Sequence, residues 1–407
     1  MNVPVGRTAD TTGGEQVRRH RPDYWLLVIA VFLVAVGLTV VYAISPALTA
    51  TDDTAGSHYV SRQLIAIALS ITAFLITARI PLRTWRQWQK PLIILAVLGT
   101  LIALVTPVLP QYPAHRWIRI GGLSLQSVEA LKFALIIWLS SFLAARARDG
   151  SIANTKLTLQ PLLIVLATIG IVVAGIQSDL GSTGVIVATM GAMAFIAGLP
   201  MRKILSIFAI VAIGTVLAVS AIPYRRERLL TFMHPESNCL TTGYQACQAL
   251  IAVGSGGISG LGLGRSVQAY GYLPEAQNDS IFAIYAEKFG FIGVMVLLGL
   301  FIALFARLRI VIERTPDMFS RLIVVGVLAW LSTQMIINVG AMIGLLPLKG
   351  ITLPFVSYGG TSVLFVGAAL GLVFQISHYT SFTTRSVQRT AQRRTTPAVA
   401  SMNRSGL

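Results

Sequence analysis

The sequence predicts an all-α polytopic integral membrane protein with ten transmembrane helices, from its composition, the length of its apolar runs and the placement of its charges. Of 407 residues, 55% are hydrophobic and only 12% charged, with a mean hydropathy of +0.74. An ordinary soluble domain carries about 25% charge. The apolar runs are close to the ~20 residues that cross a hydrocarbon core, where a helix satisfies its own backbone polar groups.

The runs fall near 24–44, 64–79, 91–108, 127–145, 161–176, 180–199, 203–222, 281–306, 322–346 and 358–378. The first follows Arg18, Arg19 and Arg21 but is longer than a signal-peptide core, so it reads as a retained helix. The fifth and sixth are separated only by residues 177–179, a tight hairpin. Residues 1–22, polar and basic, and 379–407, rich in Ser, Thr and Arg, read as disordered tails flanking a membrane domain over 23–378.

Charge sets the orientation. With the N-terminus in the cytoplasm, most of the 32 Lys and Arg fall in the inner segments and the two tails. That asymmetry satisfies the positive-inside rule and predicts both termini cytoplasmic. It also answers the nucleic-acid reading that a net charge of +17 invites, because the basic residues are dispersed over short loops with no stacking-aromatic motif. The outer pieces are then 45–63, 109–126, 177–179, 347–357 and the long extracellular loop 223–279. Long loops tend to carry function.

That loop ends in Tyr272-Leu-Pro-Glu-Ala-Gln-Asn-Asp279-Ser-Ile-Phe-Ala283, with two carboxylates at a water–lipid boundary. Asp279 has two readings of equal weight: the N-cap of the eighth helix, or a carboxylate presented as a base or cation ligand. A helix N-terminus favours the ionised form, which suits a cation ligand better than a base unless burial opposes it. Glu129 and Lys132, at i,i+3 near the outer end of the fourth span, share one helix face. They form either a neutralised pair that makes burial tolerable or part of a pathway; the rarity of intramembrane charge favours the second. Asp179 reads as a helix cap. Glu287 and Lys288 are placed to pair within the bundle.

The run from Gly254 to Gly264 contains neither phosphate-loop pattern and reads as a turn approaching another element closely, although its amides could meet a lipid-linked pyrophosphate. Arg116 and Arg119, beside Trp117, and Arg225 in Tyr224-Arg-Arg-Glu-Arg228 are either interfacial anchors or an anion site. The five histidines form no metal-binding spacing. Cys239 and Cys247 lie on the oxidising side, as a local disulfide or as free thiols.

Several of these stretches together resemble one family. Tyr272–Ala283 is similar to the signature of the SEDS proteins (shape, elongation, division and sporulation). The likeness extends through Tyr224-Arg-Arg-Glu-Arg, Gly243-Tyr-Gln-Ala-Cys-Gln-Ala-Leu, Gly260-Leu-Gly-Leu-Gly, His115-Arg-Trp-Ile, Gln177-Ser-Asp-Leu-Gly-Ser and Leu346-Pro-Leu-Lys-Gly-Ile-Thr-Leu-Pro-Phe-Val-Ser-Tyr-Gly-Gly360. It covers every span and leaves out the tails. The last stretch is nearer in wording to the division-type members than to the elongation-type ones.

The resemblance implies the SEDS fold and a peptidoglycan glycosyltransferase that polymerises lipid II into glycan strands on the outer face of the bacterial cytoplasmic membrane, at the division septum. It puts the essential acid on Asp279 and the fourth-span pair on Glu129 and Lys132. Arg116, Arg225, Glu275, Lys349 and Ser357 become candidates for contact with substrate, and a divalent cation (Mg or Mn) is a candidate cofactor at Asp279. The implied partners are lipid II and the nascent strand, a class B penicillin-binding protein transpeptidase and other divisome membrane proteins. Rival readings are a lipid II flippase or transporter and a division scaffold. The chain departs from the family pattern at Ser127 and Ser178, where prolines are usual, and at Ser280, where a phenylalanine is usual.

Overall fold

The computed structural model describes residues 21–52, 57–106, 115–120, 123–221, 232–233, 239–241 and 243–380. Nearly all of both predicted tails, and the Tyr224–Arg228 stretch with Arg225, lie outside the described residues. The chain forms α1 (Tyr24–Asp52), α2 (His58–Arg79), α3 (Leu82–Val105), a hairpin of β1 (Trp117–Ile120) and β2 (Leu123–Gln126), and α4 (Ser127–Arg148). Next come α5 (Gln160–Ile169), framed by π-helical turns at Thr155–Leu159 and Gly170–Ile176, then α6 (Leu180–Ile196) and α7 (Met201–Ala221). The long loop predicted to lie outside contributes α8 (Tyr244–Ser255), followed by α9 (Ile281–Arg314), α10 (Met318–Met342) and α11 (Gly360–Ser377).

Among the described residues, eight helical stretches are long and apolar enough to cross a membrane, the fifth of them running through both π-helical turns as Thr155–Ile176. α6 and α7, at the positions of the predicted sixth and seventh spans, are not among the eight; α6 is a shorter apolar helix. The all-helical expectation is corrected at one place, the antiparallel hairpin that pairs Trp117 with Gln126 and Ile120 with Leu123. Its β-branched residues fall beside the helix-weak Gly-Gly of 121–122, which explains why this outer segment folds back instead of coiling.

The central helices are α4 and α11, 72% and 78% buried over their apolar windows, whereas α3 is only 17% buried and turns its Leu and Ile side chains outward. Two glycines let α11 lie against α2. A Cβ on Gly367 would fall 2.1 Å from Ser70 Oγ, and one on Gly371 2.2 Å from Thr77 Oγ1. Small residues four apart are what allow helix backbones to approach this closely.

α9 is broken at Gly290, whose backbone (φ 63°, ψ −165°) is closed to residues with a side chain. The break strips hydrogen bonds from the helix, and the Gly-rich run replaces them. Leu261 and Gly262 donate their N–H to the carbonyls of Glu287 and Lys288, while Phe291 and Ile292 donate to those of Gly257 and Ile258. A Cβ on Gly260 would sit 2.2 Å from Lys288 O. The run is therefore a clasp on a helix break, with several of its amides already bonded to protein.

Segments that the sequence reading put on a common side meet at one end of the bundle. Asp23 accepts from Arg307 Nε and Nη2, and its own N–H donates to Ser377 Oγ. Arg86 pairs with Asp317, and Lys203 Nζ donates to Ala153 O. These residues all belong to predicted inner segments or their margins. On the other face the hairpin, the 177–179 turn, the end of the long loop and residues 347–359 bond to one another.

Candidate active site

Asp279 does not cap α9. Ser280 takes the N-cap position, its Oγ donating to Pro274 O (2.9 Å) and accepting from Gln245 Nε2 of α8 (3.1 Å). A phenylalanine at 280 could make neither bond. Asp279 is thus one residue outside the helix, 9% exposed, with Oδ1 buried and lacking a hydrogen-bond partner among the described residues. Burial pushes its carboxyl up to about 7, and the negative charge of Glu275 adds to the rise. The backbone amides of Asp279 and Ser280 and the Gln245 amide oppose it without cancelling it. Burial is the opposing influence the sequence reading allowed for, and here it outweighs the helix terminus.

The loop is held from within by Glu275, a residue at φ 52° whose Oε2 accepts from Asn278 Nδ2 and whose carbonyl accepts from the N–H of Asn278 (2.9 Å) and of Ser280 (3.2 Å). Glu275→Gln keeps an oxygen for Asn278 and removes the charge. The Asp279 pKa is then expected to fall, measured from its carboxyl infrared band across a pH titration; an unmoved band would dismiss Glu275 as a tuning charge.

Ser357 anchors the loop from outside. Its Oγ donates to Asn278 O (2.6 Å) and accepts from the N–H of Leu353 (2.7 Å), while Tyr358 N–H donates to Gln277 O (2.9 Å). Between them the chain passes Gly350 (φ 65°), where a Cβ would stand 3.7 Å from Asp279 Oδ2 and 4.0 Å from Arg116 Nη1. The guanidinium and the carboxylate therefore flank the same backbone segment. Arg116 is fixed by Nε to Gln177 O (3.0 Å) and by Nη2 to Ser178 O (2.6 Å). Ser178 has φ 54°, a value closed to proline, so the residue usual in the family could not adopt this backbone. Asp179 caps α6 by accepting from Ser182 N–H (3.0 Å), as its sequence reading has it. The Cβ of Lys349 packs on Gly181 in the first turn of that helix.

Glu129 and Lys132 lie deeper. Lys132 Nζ is 2.7 Å from Glu129 Oε1 and 2.9 Å from Gln334 Oε1, over the Trp330 ring, and both charged side chains are at most 4% exposed. Gln334 Oε1 also accepts from Trp330 Nε1, and its Nε2 donates to Thr352 O and Oγ1. Glu287 and Lys288 do not make the expected pair. Glu287 accepts from Ser266 Oγ and the N–H groups of Val267 and Gln268, and Lys288 donates to Leu263 O. Cys239 and Cys247 are joined in a disulfide that ties α8 to the loop before it.

The structure brings Asp279, Glu275, Arg116, Lys349 and Ser357 to one end of the bundle, with Glu129–Lys132 connected to it through Gln334. The sequence reading missed Gln334, Asn338, Thr352 and Gly350. Two amides four residues apart inside an apolar run were a signal that could have exposed the first two, since buried amides in a span need partners.

Fold and site together define a polytopic membrane protein with a buried, protonatable carboxyl group at one end of its helix bundle. The profile of the FtsW/RodA/SpoVE family, described as cell cycle proteins, matches residues 24–382, and the chain belongs to that family, the SEDS proteins. It is 36% identical over 363 residues to a "Probable peptidoglycan glycosyltransferase FtsW" of Coxiella burnetii, covering 88% of this chain and 96% of that one. Against the "Stage V sporulation protein E" of Bacillus subtilis it is 34% identical over 368 residues, covering 90% and 99%. Among solved structures it resembles a chain from work on "structural coordination of polymerization and crosslinking by a peptidoglycan synthase complex" (TM-score 0.69, 27% identity, 88% and 97% covered). It also resembles the rod shape determining protein RodA of Thermus thermophilus (TM-score 0.64, 25% identity, 88% and 96% covered). Its apolar helices and its family make it a multi-pass protein of the inner membrane.

Proposed function

We propose that this chain is a peptidoglycan glycosyltransferase of cell division that polymerises lipid II on the outer face of the cytoplasmic membrane. The observation that carries the reading is Asp279: a buried carboxyl with an oxygen unpartnered among the described residues and a pKa raised to about 7, near Arg116 at one end of the bundle. A general base works best when its pKa lies near the operating pH. In this reading Asp279 takes the proton from the 4-hydroxyl of the acceptor GlcNAc. The freed oxygen bonds to the anomeric carbon of MurNAc at the reducing end of the growing strand. The bond from that carbon to the pyrophosphate oxygen breaks with inversion, and undecaprenyl pyrophosphate leaves with the electron pair. Arg116 Nη1 faces this segment and supplies positive charge for the departing pyrophosphate.

Asp279 Oδ1, buried and without a partner among the described residues, would hold a divalent cation (Mg or Mn) here. The described residues hold no cluster of three or more His, Cys, Asp or Glu side chains. When bound, the cation would supply charge neutralisation at the leaving group. The reading extends to ten spans with both termini cytoplasmic, to a class B penicillin-binding protein transpeptidase and further divisome membrane proteins as partners, and to placement at the septum.

Reconstitution in liposomes tests it. The purified protein with its transpeptidase partner is expected to convert outer-leaflet lipid II into glycan polymer. Movement of lipid II between leaflets without polymer would establish the flippase reading instead, and neither outcome would leave the scaffold.

A further inference from the structure

Asn338 lies inside α10 and is 2% exposed. Its Nδ2 donates both protons: one to the carbonyl of Asp279 (2.7 Å), the other to the carbonyl of Ile351 (2.6 Å). The amide is oriented without ambiguity, because the flipped form would set Oδ1 against two carbonyl oxygens. One turn earlier, Gln334 makes the matching contact to Thr352, the residue after Ile351. Residues four apart share a helix face, so one stripe of α10 holds two consecutive residues of the segment that leads from Gly350. Gly350 in turn lies against Asp279 Oδ2.

We propose that Asn338 is a positioning residue for Asp279, fixing both the backbone from which the carboxylate hangs and the segment from Gly350 that it faces. This rests on Asp279 being the reactive carboxylate. Asn338 touches neither substrate nor the reacting oxygen; it acts by setting where Oδ1 and Oδ2 point. Two carbonyls, at 279 and 351, share one amide, so they keep a fixed separation. Loss of the amide leaves both buried and unpaired, and the loop end is free to reorient.

The test is lipid II polymerisation by the purified protein with its transpeptidase partner. Asn338→Ala is expected to lower kcat about 10- to 100-fold, the scale of a small misplacement of a reacting group. KM for lipid II should stay within about twofold, since the residue does not bind substrate. Asn338→Ser, which keeps one donor, should recover part of kcat. Asp279→Asn runs beside them. If Asp279→Asn polymerises at the wild-type rate, the assignment of Asp279 fails and this proposal with it. If Asp279→Asn is inert while Asn338→Ala keeps wild-type kcat, or loses activity through KM alone, only the role of Asn338 is overturned. Should neither Asn338 variant elute as folded protein, Asn338 is a folding residue and the proposal is overturned as well.

Discussion

Asp279→Asn is expected to abolish polymerisation and, at the same time, to make the protein harder to unfold above pH 7. The two effects have one cause. The carboxyl titrates near its ordinary value of 3.8 in the unfolded chain and is pushed up to about 7 in the folded one. Between those values the folded state holds more protons than the unfolded state, so stability falls as pH rises through the window. The full cost is present above about pH 7 and amounts to at most about 4 kcal/mol for a shift of this size. Asparagine occupies the same volume and carries no charge to desolvate. In thermal unfolding of the purified protein, the variant should exceed wild type in Tm, by a wider margin at pH 8 than at pH 5. A gap that does not change with pH would contradict the burial of this charge.

Lys132→Met should have the second large effect, on folding itself. Glu129 is 3% exposed, its Oε2 has no partner among the described residues and its Oε1 accepts from Lys132 Nζ. Removing the lysine strands a buried carboxylate and leaves Gln334 Oε1 with only Trp330 Nε1. Breaking a buried pair by deleting one partner costs about 3–5 kcal/mol, whereas replacing both ions by neutral groups is often close to neutral. Lys132→Met should therefore lose most of its folded yield in detergent, and adding Glu129→Gln should restore much of it. A double variant no more stable than the single one would show that the lysine contributes by packing rather than by charge.

The legibility of this protein in its sequence follows from the range of the interactions. The spans could be read because twenty apolar residues in a row have one solution in a bilayer, and sidedness because Lys and Arg resist translocation. Asp279 could be found from its neighbours along the chain, but its charge state could not. That depends on elements distant in sequence that pack around it, such as the segment at Gly350, and on the opposing hydrogen bond from Gln245. The hairpin at 117–126 escaped because four-residue strands carry little periodic signal. Asn338 escaped because its two acceptors lie 59 and 13 residues away. The pairing of Glu287 with Lys288 failed for a local reason: neighbours in a helix point about 100° apart, so each found its own partner in the loop.

The clasp at Gly290 has a mechanical consequence. Four backbone hydrogen bonds cross between residues 257–262 and 287–292, and they run through the helix at the point where its own ladder is interrupted. The first turns of α9, which begin just after Asp279, are thereby coupled more directly to the outer loop than to the remaining helix below the break. A load applied to the loop by any bound chain would be delivered to the carboxylate over nine residues of stiff helix, while the break gives the lower part of α9 its own axis. Gly256, Gly260 and Gly290 form the bearing of that joint, and a methyl group on any one would jam it against backbone.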